Sequence, residues 1–359
     1  MSNTKKIIPI FVPHRGCPND CVFCNQKKIT GKTNIEVNKD YVIRIVEDYI
    51  KTRPHYSDLA FFGGSFTAID KNLQIELLET AHYYQRKGIF DNIRISTRPD
   101  AIDNEILQIQ KKYGVKIIEL GIQSLDDEVL IKSNRGHTVN DSINASKLIK
   151  EYGFTLGHQV MPGLPGSSIE KDIYTCKKSI EMHPNIVRIY PTLTIKETEL
   201  EKMYKENKYT PLSLENAVKL STYIYSLYTV NNINVIRIGL QNTDTINEDN
   251  DIIAGPFHPA FRQLVEEKLY LNSMVNKLKT ANFGENIKIE TSKKLMSYVI
   301  GQKKCNFNYI KQQLNIKRIF LQEIEQNDVV NIYNDNEKIA KINKDDIFID
   351  YITAFNLVK

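Results

Sequence analysis

Ile7-Ile8-Pro9-Ile10-Phe11-Val12-Pro13-His14-Arg15-Gly16-Cys17-Pro18-Asn19-Asp20-Cys21-Val22-Phe23-Cys24 decides how the rest of the chain is read. An apolar run of strand length passes at once into a loop carrying Cys17-x3-Cys21-x2-Cys24. Three thiolates on so compact a loop can hold three irons of a cubane cluster and leave the fourth open to a substrate or cofactor. The same loop also fits a structural zinc site, with His14 completing a Cys3His set. Cys176 and Cys305 stand far away and read as small buried hydrophobes. Five cysteines, an odd number, argue against a disulfide framework and for a reducing compartment. Residues 7–13 are too short for a secretory core, and no run of about 18 apolar residues occurs. The expected address is the cytoplasm, with no membrane contact.

Outward from that loop the first strand is followed by five more: 58–62, 92–98, 115–121, 154–160 and 186–190. Helical periodicity fills the gaps at 38–52, 71–87, 103–113, 126–132, 139–152 and 168–182. Repeated strand–helix alternation with continuously apolar strands predicts a parallel sheet covered by helices, α/β in class. Periodicity does not choose between an open sheet and a partial (β/α)6 barrel. In both, loops at the C-terminal strand ends carry the chemistry. A helix near 213–229, a strand at 234–240 and a polar linker at 241–255 follow. The remainder reads helix, strand, helix and several short strands. The expected domains are a core barrel over 1–240 and a C-terminal α/β extension over 241–359. The 359 residues leave room for both.

The strand ends carry distinctive residues. Gly63-Gly64-Ser65-Phe66-Thr67 permits close backbone approach to a ligand, or simply a tight turn. In Ser96-Thr97-Arg98-Pro99-Asp100, Pro99 stops the strand, Asp100 is placed to cap the next helix, and Arg98 is either a carboxylate or phosphate ligand or a surface arginine. Gln123 and Arg135, in Glu119-Leu120-Gly121-Ile122-Gln123-Ser124 and Asn134-Arg135-Gly136-His137-Thr138, suit the hydroxyls and carboxylate of one ligand; helix capping and a solvated loop are the alternative. Gln159 and Met161 lead into Pro162-Gly163-Leu164-Pro165-Gly166, a turn that exposes its backbone groups.

In this order the motifs resemble the radical S-adenosylmethionine superfamily. Cys17-x3-Cys21-x2-Cys24, with Phe23 before the last cysteine, matches its signature, and Gly63-Gly64-Ser65 its glycine motif. The motifs from Glu119 to Gly166, with Arg188-Ile189-Tyr190-Pro191-Thr192, are similar to the radical domain of the Elongator catalytic subunit over about residues 5–205. The resemblance implies the partial (β/α)6 TIM-like barrel. It also implies a 4Fe-4S cluster on Cys17, Cys21 and Cys24, and S-adenosyl-L-methionine (SAM) chelated to the open iron. One electron from a low-potential donor would then cleave the cofactor to a 5′-deoxyadenosyl radical that takes hydrogen from a substrate. Phe23, Gly63, Gly64, Ser65, Ser96, Arg98, Gln123, Arg135, Gln159 and Met161 fall on or beside cofactor-binding motifs. Ser96 stands where many relatives carry glutamate, and Gln159 where some carry aspartate.

The roughly 100 residues after Gly255 show no glycine-rich strand–helix turn of the kind that holds the acetyl-CoA pyrophosphate, so a short form without Elongator's acetyltransferase domain is expected. Within them, Lys293, Lys294, Lys303, Lys304, Lys311, Lys317 and Arg318 fall in a stretch without Asp or Glu. Such segregation is the footprint of phosphate contacts or of a solvated helix face. Residues 298–321 resemble a KH-type helix–loop–helix, with Lys304 in place of the loop's second glycine. Lys293, Lys294, Lys303 and Lys304 are the candidate RNA contacts. The net charge of +5 alone implies no such partner. The expected function is a radical enzyme modifying tRNA in the Elongator manner. The alternatives are a porphyrin- or haem-related radical enzyme and a non-catalytic RNA-binding protein with a structural metal.

Overall fold

The structure, a computed structural model, describes residues 6–12, 20–25, 36–240 and 251–355. The chain divides into two compact units: Met1–Leu212 with Leu240–Phe257, and Ser213–Gly239 with His258–Lys359.

In the first unit β1 (Ile7–Phe11), β2 (Tyr56–Phe62), β3 (Phe90–Thr97), β4 (Val115–Gln123), β5 (Thr155–Val160) and β6 (Ile186–Ile189) lie side by side in chain order. Every neighbouring pair is parallel. Between them run α1 (Lys39–Ile50), α2 (Lys71–Arg86), α3 (Asn104–Lys112), α4 (Asp127–Lys132), α5 (Val139–Glu151) and α6 (Ile169–Glu181). This curled parallel arrangement is the partial (β/α)6 barrel. Strand cores such as Leu59-Ala60-Phe61 and Ile117-Ile118 are buried, as a sheet covered on both faces requires. Each large apolar side chain so buried contributes about 1.5–3 kcal/mol. Asn38, Asp70, Asp103, Asp126, Thr138 and Ser168 cap the six helices with side-chain acceptors. The cap of α3 is thus Asp103. The expected cap, Asp100, pairs with Arg98 instead.

Three further elements are described in this unit. β7 (Thr194–Ile195) and α7 (Glu199–Lys205) follow β6, and β9 (Ile252–Ala254) pairs antiparallel with β7. The end of the expected linker is therefore a strand; residues 241–250 lie outside the described residues.

The second unit holds α8 (Leu214–Val230), β8 (Asn234–Ile238), α9 (Phe261–Lys279), β10 (Asn286–Thr291), α10 (Lys293–Ile300), α11 (Cys305–Leu314), β11 (Arg318–Glu323), β12 (Val329–Asn334), β13 (Glu337–Asn343) and α12 (Asp346–Ala354). Its four-stranded sheet runs β11-β10-β12-β13. β10 and β11 are parallel, and the other two pairs antiparallel. One sheet face, with Ile289, Val330 and Ile332, packs into a core with Met274, Val299, Ile310 and Phe348. The expected basic helix–loop–helix is present. α10 ends at Gly301 (φ 76°), and Lys303 (φ 50°) and Lys304 (φ 63°) turn the chain into α11. Lys293, Lys294, Lys303 and Lys304 are exposed; Lys294 lies 3.8 Å from Asp328. Cys176 is buried as expected, but Cys305 is exposed. It opens α11 on the solvent side of the turn, so it is no core residue.

Candidate active site

The candidate residues converge on the C-terminal ends of the barrel strands. After β1 the described part of the cysteine loop, residues 20–25, is held from several directions. Cys21 O accepts from Cys24 N at 2.9 Å, closing a turn that sets the two cysteines together. Val22 N donates to Ser133 O at 3.1 Å, and Asn134 Nδ2 donates to Asp20 O at 2.8 Å. Val22 packs with Leu200 and Tyr209 in a small apolar cluster that Phe23 and Met203 flank. Leu200 N donates to Val22 O at 2.7 Å. Phe23 therefore packs against the α7 segment. Cys17 and His14 lie outside the described residues.

Arg135 joins this loop to β4. Its Nη1 donates to Cys21 Sγ at 3.2 Å and its Nη2 to Gly121 O at 2.8 Å. Its Nε is buried with no hydrogen-bond partner among the described residues. In the Arg135-Gly136-His137-Thr138 motif the roles divide. Arg135 reaches the sulfur, Gly136 supplies a positive φ of 75°, and Thr138 caps α5 through a reciprocal bond with Asp141. His137 is buried, and burial, with Arg135 second, depresses its pKa to about 4. His158 is buried between Ser146 and Ser179, 2.9 and 2.8 Å away, and burial takes it to about 3. Neither imidazole is set up as a proton shuttle near neutral pH.

Gln123 sits at φ 62°, a left-handed conformation rare outside glycine. The β4–β5 register shifts between Gly121 and Gln123, so the strand end carries a bulge that re-aims its side chains. Met161 N bonds to Gln123 O at 2.9 Å, and Gln159 Nε2 lies 3.3 Å from Gln123 Oε1. A Cβ on Gly121 would stand 2.7 Å from Gln123 Nε2 and 2.9 Å from Arg135 Nη2. Only glycine lets both side chains close over this point. After β2, Gly63 (φ 79°) and Gly64 (φ 52°) turn the backbone tightly before Ser65, which is buried.

Arg98 is neither surface-exposed nor open-handed. It is buried, and its fork grips both Asp100 oxygens at 2.9 Å. Ser96 shares the inward face of β3 with Arg94. Beneath it lies a charge network that reading the sequence missed. Arg94 donates to Asp58 at 2.7 Å and to Glu119 at 2.8 Å. Arg188 bonds Glu119 in turn and reaches Tyr190 Oη at 3.2 Å. Burial pushes the Glu119 carboxyl up, but the guanidiniums of Arg188 and Arg94 outweigh it and hold the group below its usual range. Gly157 leaves room for Glu119, because a Cβ there would meet its Cγ at 2.9 Å. The signal was single charges inside apolar strands, which a buried parallel sheet tolerates only in pairs.

The Met161–Gly166 turn has its own support. Gly163 N and Ser167 Oγ donate to the buried Asp172 at 2.9 and 2.6 Å, and burial raises that carboxyl to about 7. Tyr209 Oη donates to Gly163 O at 2.7 Å. The ring that covers Val22 of the cysteine loop thus also fixes this turn.

Two family models match: the radical SAM superfamily over residues 11–176 and its C-terminal domain over 184–270. The chain belongs to the radical S-adenosylmethionine superfamily. It is an enzyme of that radical type, and the non-catalytic alternative gives way. Similar proteins include a tRNA uridine(34) acetyltransferase of Dehalococcoides mccartyi, 40% identical over 232 residues, which are 54% of this chain and 50% of that one. Elongator complex protein 3 of Homo sapiens is 34% identical over 261 residues, 60% of this chain and 48% of that one. The acetyltransferase of Methanocaldococcus jannaschii is 38% identical over 37% of this chain and 25% of its own. The chain thus spans a quarter to a half of these relatives. The archaeal Elp3 of Methanocaldococcus infernus shares the fold, with a TM-score of 0.60 and 24% identity over 74% of this chain and 62% of that one.

The family implies a 4Fe-4S cluster and SAM, and the residues fit both. Cys21 and Cys24 offer two thiols on one turn, and a guanidinium already donates to one sulfur. The unpartnered Arg135 Nε and the Gly63-Gly64 turn suit a charged ligand held close to backbone. Among the described residues, which do not include Cys17, no group of three His, Cys, Asp or Glu could hold a metal. No described helix is long and apolar enough to cross a membrane.

Proposed function

We propose that the chain is a radical SAM enzyme that modifies tRNA. One observation carries the reading: the Cys21–Cys24 turn is clamped by Arg135 to the mouth of a half-barrel whose strand ends present Gly63, Gly64, Gln123, Gln159 and Met161. The names of the tRNA-modifying relatives support the substrate class.

Cys17, Cys21 and Cys24 would hold the cluster, with SAM bound beside it. When bound, this pair supplies a one-electron cleavage of the cofactor to a radical, fed by a low-potential donor. The chain's own part is placement. Arg135 fixes Cys21, and its N–H to sulfur tunes the electronics of that ligand. Gly63 and Gly64 would give backbone access to the methionine end of SAM, with Ser65 and Phe23 as further contacts. Gln123, which Gln159 meets, would hold the ribose together with Ser96. Met161 and its turn would hold the adenine. Arg98, locked to Asp100, braces the end of β3. Residues 1–240 are the catalytic core in this reading. The extension over 241–359 docks RNA, with Lys293, Lys294, Lys303 and Lys304 on phosphates.

The test is mass spectrometry of total tRNA nucleosides from cells with and without the gene. A nucleoside lost in the deletion and restored by the wild type but not by Cys21→Ala is the expected result. Identical profiles contradict the substrate. Reversing the charge at Lys303 and Lys304 should weaken tRNA binding at low salt by about tenfold or more.

A further inference from the structure

The face of the four-stranded sheet turned away from its core carries an ordered row. Strand register sets Phe320 of β11 beside Lys288 of β10, Lys288 beside Tyr333 of β12, and Tyr333 beside Lys338 of β13. The row therefore reads aromatic, cation, aromatic, cation across all four strands. The Lys288 Nζ lies 4.5 Å from the centre of the Tyr333 ring, and the Lys338 Nζ 5.5 Å. Phe320 is 54% exposed, on a strand at the edge of the sheet. Arg318 shares this face by alternation with Phe320, and Lys341 shares it as the partner of Asn331, two residues before Tyr333; a bulge between Ile332 and Tyr333 brings Lys338 to the same side. Four cations thus stand against one carboxylate, Glu290, which Lys288 already engages at 2.8 Å. On the same face Asn331 is buried, and its Oδ1 has no hydrogen-bond partner among the described residues.

Phe320 offers a flat apolar ring at the sheet edge, in register with a row of cations, which suits a partner that carries both ring faces and negative charge. Two aromatic rings on β11 and β12, separated by the β10 strand and its Lys288 ammonium group, match one chemistry well. Unstacked bases lie on the rings while phosphates meet the cations. A duplex buries its base faces and cannot use the rings. A protein partner has no reason to need cations alternating with them.

We propose that this sheet face binds a single-stranded nucleic-acid segment, with Phe320 and Tyr333 as the stacking platform and Lys288, Arg318, Lys338 and Lys341 along the backbone path. The inference stands on the sheet alone and is independent of the barrel's chemistry and of the Lys303–Lys304 turn.

Fluorescence anisotropy on the full chain tests it, with unstructured RNA and DNA oligonucleotides and a duplex of the same length as probes. Phe320→Ala removes a ring from solvent and leaves the core untouched. It should weaken single-strand binding at least about fivefold while duplex binding stays as it was. Phe320→Tyr, which keeps the ring, should bind as the wild type does. Lys338→Ala should flatten the salt dependence of single-strand binding. The RNA and DNA arms decide only which strand is preferred, through the 2′-hydroxyl. The proposal is overturned by no single-strand binding in the wild type, by unchanged affinity in Phe320→Ala, or by equal losses on single strand and duplex. A wild type that self-associates where Phe320→Ala stays monomeric also overturns it, because the occupant is then a second copy. S-adenosylmethionine cleavage by Phe320→Ala should equal that of the wild type, so this test and that of the proposed function fail separately.

Discussion

The barrel interior and the open sheet face of the second unit use charge in opposite ways. Inside the barrel Asp58, Arg94, Glu119 and Arg188 are buried, and each side chain meets an opposite charge. On the sheet, Arg318, Lys338 and Lys341 are exposed, and among the described residues none of them forms an ion pair; Lys338 lies over the Tyr333 ring. A buried, mutually paired network cannot bind an outside ion without breaking itself, so its work is to hold strand ends in register. Exposed cations without carboxylate partners pay little for being free, and remain available to phosphate. The same contrast separates Arg98, locked on Asp100, from Arg135, whose Nε remains to be satisfied.

Breaking the interior network should give the largest effect. Glu119→Leu leaves Arg188 buried without a carboxylate and Arg94 with Asp58 alone, and should cost about 3–5 kcal/mol in urea unfolding. A loss below about 1 kcal/mol would show that solvent reaches the network and that the contrast is overstated. Asp172 sharpens the comparison with pH. Its folded pKa, about 7, lies above the unfolded carboxylate value, so the native state holds a proton that the unfolded chain releases. Stability should therefore fall as pH rises from about 4 to about 7 and level off above. Asp172→Asn should be free of this slope and gain on the wild type by at least about 1.4 kcal/mol between mildly acidic and mildly alkaline pH. Parallel curves would place the carboxyl in water.

Arg135→Lys keeps the charge and removes the fork that spans Cys21 Sγ and Gly121 O. Iron affinity should fall about tenfold, read by chelator competition, with little change in unfolding. Equal affinity would mean that the clamp does not serve the cluster. The smallest effect is expected at Cys305→Ser. That residue is exposed and away from the other cysteines in sequence, so iron content should be unchanged and stability within about 0.5 kcal/mol.

Much of the fold was legible because a parallel sheet writes itself in continuous apolar runs. All six strand positions fall within two residues of their expected starts. What failed to show was long-range. The α7 segment that covers Val22 is short and polar on its outside, and only its contacts with Tyr209 and the cysteine loop give it meaning. Helix α12 lay hidden in a stretch whose β-branched and aromatic residues suit strands equally well. In the site, Gln123 and Arg135 could be named from their motifs, but their convergence over Gly121 depends on a register shift that no local pattern announces. Asp58 and Arg94 were visible as lone charges in apolar strands, and the partner of each lies on another strand. Exposure of Cys305 follows from a left-handed turn at two lysines, which residue preference does not foretell.

The central claim is that Cys21 and Cys24, with Cys17, hold a cluster that cleaves SAM inside this half-barrel. The direct measurement is chromatographic quantitation of 5′-deoxyadenosine after anaerobic reconstitution with iron and sulfide and addition of a strong reductant. Wild-type protein should release 5′-deoxyadenosine and methionine in equal amounts only when reduced, and Cys21→Ala should release none. Protein that binds iron at these cysteines yet forms no 5′-deoxyadenosine under reduction would contradict the account.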